Sequence, residues 1–271
     1  MIVFPNAKIN VGLYITNRRD DGFHDLETVF YPVPLCDALE IIEDESGFNC
    51  SVSGLPVDTN DSENLCVKAF RLLKKDFPQL PDIHIYLHKA IPMGAGLGGG
   101  SADAAFTLRL LNDKFQLALS KAQLSQYALQ LGSDCPFFIH NKPCIATGRG
   151  EILAPVSLDL SHYYFVIINP GIHINTGWAF KQLQPKAMSF SLDEIINQPV
   201  EAWKNILQND FEEPVFKQYP AIKNIKDTLY KKGAVYASMS GSGSSVYGLF
   251  REHVEEKDFG LDKNYFVYRS K

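Results

Sequence analysis

Between Pro92 and Ala105 the chain reads Pro-Met-Gly-Ala-Gly-Leu-Gly-Gly-Gly-Ser-Ala-Asp-Ala-Ala, and no other stretch restricts its fold so tightly. Five residues in it, Gly94, Gly96, Gly98, Gly99 and Gly100, have no β-carbon, so the backbone can enter positive φ and bring its amides close to another molecule. Upstream, Asp82 to His88 alternates apolar and polar residues as a strand does. Downstream, Ala102 to Leu111 is rich in alanine and leucine and reads as a helix. The glycines therefore occupy a strand-to-helix turn. Unpaired amides at a helix start, with the positive end of its dipole, form a site for phosphate. The expected ligand is a nucleoside triphosphate.

Two better-known phosphate motifs do not fit. Gly94, Gly96 and Gly99 satisfy G-x-G-x-x-G, but the dinucleotide fingerprint needs an acidic residue at the end of a second strand, and Asp113 falls at a helix end. The Walker spacing fails because Gly100 stands where the phosphate-binding lysine belongs. A second glycine-rich turn, Ser240-Gly-Ser-Gly-Ser-Ser, lies between a strand over 234–238 and another over 246–250.

The 271 residues suffice for one large domain or two intimate ones, and 45% hydrophobic with 21% charged residues is ordinary globular composition. A net charge of -5 without a basic cluster argues against a nucleic-acid surface and for a small-molecule substrate. Five cysteines without C-x-x-C spacing indicate neither a zinc site nor a disulfide framework, so reduced thiols in a cytoplasm are expected. No export signal or membrane-spanning run is visible in the sequence.

Along the chain, Lys8 to Ile15 alternates, with Ile9, Val11, Leu13 and Ile15 on one strand face and Lys8, Asn10 and Tyr14 on the other, polar face, where a lysine is ordinarily solvated. His24 and Phe23 lie in a polar turn before a strand over 26–33. Strands are expected over 38–43 and 48–53, then a helix carrying Leu65, Ala69, Leu72 and Leu73, with Asn60 or Ser62 as its cap. Ser120-x-x-Gln123 and Ser191-x-x-Glu194 read as capping boxes. Asp134, between Gly132 and the apolar run Cys-Pro-Phe-Phe-Ile, is either the cap of a short helix or a catalytic carboxylate in need of a partner. A hairpin turns at 148–150, and a buried strand runs over 163–170. His84 and His88 share a strand face about 13 Å apart, too far to bind one metal.

Taken together, Pro5-Asn-Ala-Lys-Ile-Asn, Pro92 to Ala105 and Ser238-Met-Ser-Gly-Ser-Gly-Ser-Ser resemble the three ordered motifs of the GHMP kinases. Arg18 to Thr28 with its Gly-Phe-His core, Gly132-Ser-Asp-Cys-Pro-Phe and Thr147-Gly-Arg-Gly-Glu most resemble the members that act on a cytidine-diphosphate-linked methylerythritol. The resemblance implies an α+β, two-lobed fold with the active site in a cleft, residues 1–155 forming the N-terminal lobe and 156–271 the C-terminal lobe. It implies transfer of the ATP γ-phosphoryl group to the substrate's 2-hydroxyl, a step of the non-mevalonate isoprenoid pathway. Lys8 and Asp134 match the catalytic pair of the family.

Pro92, Met93, Gly94, Ala95, Gly96, Leu97, Gly98, Gly99, Gly100, Ser101 and Ala102 match its ATP-binding loop. On physical grounds Ser101 is the expected protein ligand of Mg²⁺. Asn10, Phe23, His24, Phe30, Thr176 and Phe180 match positions that hold the substrate or its cytosine. Phe23 stands where tyrosine is commonest, which keeps a ring for stacking and loses a hydroxyl. A cytoplasmic monomer or weak homodimer is expected. Another small-molecule kinase of the family, or a nucleotide-binding homologue without catalysis, are the alternatives.

Overall fold

The computed structural model describes residues 1–56, 63–255 and 259–270. Its strands are β1 (Ile2–Val3), β2 (Asn6–Arg18), β3 (His24–Cys36), β4 (Ala38–Glu43), β5 (Asn49–Gly54), β6 (Ile83–Lys89), β7 (Cys144–Thr147), β8 (Ile152–Pro155), β9 (Tyr164–Asn169), β10 (Tyr236–Met239), β11 (Val246–Phe250) and β12 (Phe266–Arg269). Its helices are α1 (Leu65–Asp76), α2 (Gly99–Lys114), α3 (Lys121–Leu131), α4 (Cys135–His140), α5 (Thr176–Lys181), α6 (Leu192–Ile196), α7 (Val200–Ile206), α8 (Glu212–Gln218) and α9 (Pro220–Lys231). The class is α+β, as the sequence led us to expect. Contacts divide the chain into two compact units, each assembled from three segments.

The first unit comprises Met1–Ala7, Pro34–Met93 and Gly98–Lys142. Its sheet has the order β1-β4-β6-β5, with β5 parallel to β6 and the other pairs antiparallel. Along β6 the strand period buries Ile83, Ile85, Leu87 and Lys89 and turns Tyr86 and His88 outward. His84 and His88 each bond a serine of the neighbouring strand, Ser51 at 2.8 Å and Ser53 at 3.0 Å. Helix α2 packs on α1, α3, α4 and β4. Its Ala102, Ala104, Ala105, Leu108 and Leu111 are all buried, and the small alanines let neighbouring elements come close.

Local signals set the helix ends with uneven fidelity. At α3 both bonds of the Ser120–Gln123 capping box form. The cap of α1 is Asn64, which accepts from the Cys66 amide at 2.9 Å, while the expected caps Asn60 and Ser62 lie outside the described residues. Ser191 does occupy the N-cap of α6, but its side chain makes no capping bond, so the box expected there is not formed.

The second unit comprises Lys8–Val33, Gly94–Leu97 and Pro143–Lys271. It holds a sheet of order β2-β3-β7-β8 and another of order β10-β11-β9-β12. The hairpin expected at 148–150 is the antiparallel pair β7–β8. Leu13 and Ile15 of β2 join Phe211, Val215, Ile222, Ile225 and Leu229 in one buried core with the strands β9 and β11. Leu13 also exchanges backbone bonds with the segment before α8, donating to the Gln208 carbonyl and accepting from the Asp210 amide, each at 2.9 Å. No helix among the described residues is long and apolar enough to cross a membrane. None of the five cysteines forms a disulfide.

Candidate active site

The polar face expected on β2 is not a solvated one. Lys8 is only 4% exposed and Asn10 2%. A buried ammonium needs partners. The Lys8 Nζ donates to Asn10 Oδ1 at 2.7 Å and stands 4.6 Å from the centre of the Phe30 ring, whose π-face attracts a cation. Phe30, expected at the substrate, is itself 2% exposed and faces this lysine. Asn10 Oδ1 also accepts from the Gly241 amide at 3.0 Å, tying β2 to the second glycine-rich turn.

That turn in its place holds the first. Ser240 donates to the Gly96 carbonyl at 2.8 Å, and the Ser245 amide donates to the Ala95 carbonyl at 3.2 Å. Gly94 and Gly96 have φ of +60° and +78°, and a β-carbon on Gly96 would collide with the Ser240 carbonyl. Glycine is required there twice over, for backbone angle and for space. Asn209 braces the turn from beneath, its Nδ2 donating to the carbonyls of Met239 and Gly241 at 2.8 Å each.

In the first unit, Pro92 and Met93 end the approach from β6, and Gly98, at φ +71°, is the N-cap of α2 with no side-chain bond to the helix. The helix begins at Gly99, earlier than the Ala102 expected from composition, because Gly99 and Gly100 take helical angles. The first intrahelical donor is the Ala102 amide, to the Gly98 carbonyl at 2.9 Å. The amides of Gly99, Gly100 and Ser101 are thus the free end of the helix, the arrangement that binds phosphate.

Beneath this end lies a feature that the sequence reading missed. Lys89 is 1% exposed and its Nζ bonds the carboxylates of both Asp37 and Asp103. Asp37 Oδ1 accepts from the amides of Ala90 at 2.6 Å and Ile91 at 2.8 Å. Burial works against the Lys89 charge, but the two carboxylates outweigh it and raise its pKa. Burial pushes the Asp103 carboxyl up to about 8, against the pull of Lys89. The signal was present, since Lys89 falls in step with Ile83, Ile85 and Leu87 on the apolar parity of β6. A cavity of about 190 Å³ adjoins the group, lined by Asn64, Leu65, Leu87, Met93, Gly100 and Asp103 among others.

Asp134 occupies the N-cap of α4 and makes no capping bond to the helix, so the structural role available to it in the sequence is not the one it takes. Next to it, burial pushes the Cys135 thiol up to about 12, against a hydrogen bond with Ser101 that lowers it. Ser101 therefore lies beside the start of α4. Asp134 and Ser101 share the first unit, whereas Lys8 belongs to the second.

The aromatic residues fall into two groups. His24 stacks on Phe180 with ring centres 4.9 Å apart and 21° between planes, and Phe180 meets Phe211 edge-on at 4.9 Å. Burial, then the nearby Arg18, lowers the His24 pKa, so the ring is neutral at pH 7. Phe23 is apart from this pair, 54% exposed, with the Arg149 guanidinium 5.1 Å from its centre. Thr176 stands at the start of α5, its hydroxyl 3.4 Å from that of Ser242.

Residues 64–142 match the family described as GHMP kinases N terminal domain, and residues 191–259 match GHMP kinases C terminal. The chain belongs to the GHMP kinase family. Among the relatives of this GHMP kinase is a protein of Bacteroides fragilis named 4-diphosphocytidyl-2-C-methyl-D-erythritol kinase, 55% identical over 96% of each chain. One of Bacteroides thetaiotaomicron with the same name is 52% identical over the whole of both chains. A crystal structure of 4-(cytidine 5'-diphospho)-2C-methyl-D-erythritol kinase superposes with a TM-score of 0.80 at 31% identity, covering 92% of this GHMP kinase and 90% of that chain. Homoserine kinase from Cytophaga hutchinsonii shares the fold alone, with a TM-score of 0.69 at 15% identity over 98% of this chain and 94% of that one.

Proposed function

We propose that this kinase transfers the γ-phosphoryl group of ATP to the 2-hydroxyl of 4-diphosphocytidyl-2-C-methyl-D-erythritol, giving the 2-phosphate and ADP, in the cytoplasmic non-mevalonate route to isoprenoids. The observation that carries the reading is the 55% identity over 96% of both chains to a relative bearing that enzyme's name. Its support within the chain is a lysine held in a buried setting, a carboxylate not engaged in capping, and two bonded glycine loops.

The phosphates of ATP lie on the amides at the start of α2, where the helix dipole favours negative charge. The adenine enters the cavity beside Gly100, whose walls Leu65, Leu87 and Met93 suit an aromatic ring and whose Asn64 and Asp103 supply polar edges. Mg²⁺ fits this setting. The Ser101 hydroxyl, in the first turn of α2, is the side chain that would hold Mg²⁺ beside the phosphates. When bound, the ion neutralises phosphate charge.

Phosphoryl transfer asks mainly for positioning and charge stabilisation. Asp134 accepts the proton of the attacking 2-hydroxyl. Lys8 stabilises the charge on the group in transfer, and its bond to Asn10 holds its ammonium in one place. Phe180 offers a face to the cytosine, and His24, neutral and therefore both donor and acceptor, moves from that face to the base's edge. The test is phosphorus NMR of the product. A new monophosphate resonance beside an intact diphosphate is expected, and cleavage of the diphosphate or no new resonance would contradict the reading.

A further inference from the structure

Thr28 lies within β3 and is wholly buried beside Asn10. A threonine hydroxyl has one proton to give, and that of Thr28 goes to the Gly12 carbonyl. Its oxygen is left to accept, and Asn10 Nδ2 donates to it at 3.0 Å. This fixes which end of the Asn10 amide points where. The Oδ1 end is turned to two donors, the Lys8 ammonium at 2.7 Å and the Gly241 amide at 3.0 Å. With the amide reversed, an NH₂ group would face both donors, and a carbonyl would face a hydroxyl whose proton is committed elsewhere. With Thr28, Asn10 and Lys8 exposed by only 0%, 2% and 4%, bulk water does not compensate such an error.

We infer that Thr28 is a positioning residue for phosphoryl transfer: by fixing the Asn10 amide it sets the place of the Lys8 ammonium. The inference rests on the proposed role of Lys8, so Lys8→Met is measured beside Thr28→Val and Thr28→Ser, each with ATP and the cytidine compound at saturation. Lys8→Met is expected to lower kcat by about 100-fold or more. If it does not, the role given to Lys8 fails, and the inference with it.

Given that loss, Thr28→Val, equal in shape but without the hydroxyl, lowers kcat about 10- to 100-fold and leaves the ATP KM within about twofold. Thr28→Ser, which keeps the hydroxyl, restores kcat to within about threefold of the natural enzyme. A merely structural role would lower the melting temperature and spare kcat. Undiminished kcat in Thr28→Val, or equal loss in the serine variant, overturns the inference. Should the valine variant not fold, Thr28→Cys, a weak donor of similar size, takes its place, and undiminished kcat there overturns it equally.

Discussion

Ser240 donates its hydroxyl proton to the Gly96 carbonyl at 2.8 Å, a bond between residues 144 positions apart in the chain. It makes the two glycine-rich turns one structure, so a change in either is felt in both. Gly96→Ala introduces a β-carbon where the Ser240 carbonyl already stands, at a φ of +78°. We expect it to lower stability by about 1–3 kcal/mol and to weaken ATP binding at least about tenfold, read by thermal melting and calorimetry. Gly100→Ala separates the two effects. Its angles are helical and the nearest side-chain atom to the new carbon is 3.6 Å away, so stability is kept while a methyl group beside the phosphates weakens ATP binding.

The buried Lys89 sets a pH dependence. Burial holds the Asp103 carboxyl at about 8 in the folded protein, against the ordinary carboxylate value near 3.8 in the unfolded chain, so the folded chain keeps a proton that the unfolded chain releases. The contribution is complete below the lower value and is lost as pH rises through the upper one. Asp103→Asn cannot titrate. Relative to it, the natural protein should become progressively less stable as pH rises from about 4 to about 8 in denaturant titrations, and a constant difference between the two would contradict the assignment. Lys89→Met, which leaves the buried Asp37 carboxylate without its cation beside a protonated Asp103, should cost about 3–5 kcal/mol at neutral pH.

Phe180 stacks on His24 and meets Phe211 edge-on. Phe180→Ala should raise the KM for the cytidine substrate about tenfold or more while moving the ATP KM far less. Equal rises in steady-state titrations of the two substrates would contradict a role at the cytosine.

Asp134 stands at the N-cap of α4 without a side-chain capping bond, and Asn replaces its carboxylate with an amide of the same size. Asp134→Asn is expected to leave the melting temperature and ATP affinity nearly unchanged and to lower turnover by about 100-fold or more, if it receives the hydroxyl proton.

Elements carried by local chemistry were legible in the sequence. The strand over 38–43 and the capping box at Ser120 follow from neighbouring residues and stand where expected. The box at Ser191 was misleading, because the serine takes the cap position without turning its oxygen to the helix. What the sequence hid was burial decided by distant segments. Lys8 and Asn10 alternate as a solvent face does, and they are buried because Phe30 and the 240–241 turn lie over them. Asp37 bonds groups 52 to 54 positions away in the chain, and period alone marked only the lysine. Likewise Asp134 offered two roles in sequence, and only the geometry at α4 removed the capping one.

The central claim is the identity of the acceptor. The most direct measurement is ADP release with Mg²⁺-ATP and 4-diphosphocytidyl-2-C-methyl-D-erythritol, run beside methylerythritol phosphate, homoserine and mevalonate. The account predicts turnover with the cytidine compound at a kcat/KM at least about 1,000-fold above the others, since an unfilled aromatic site and unpaired polar groups penalise acceptors that lack the base. Comparable turnover with an acceptor that lacks cytidine would contradict it.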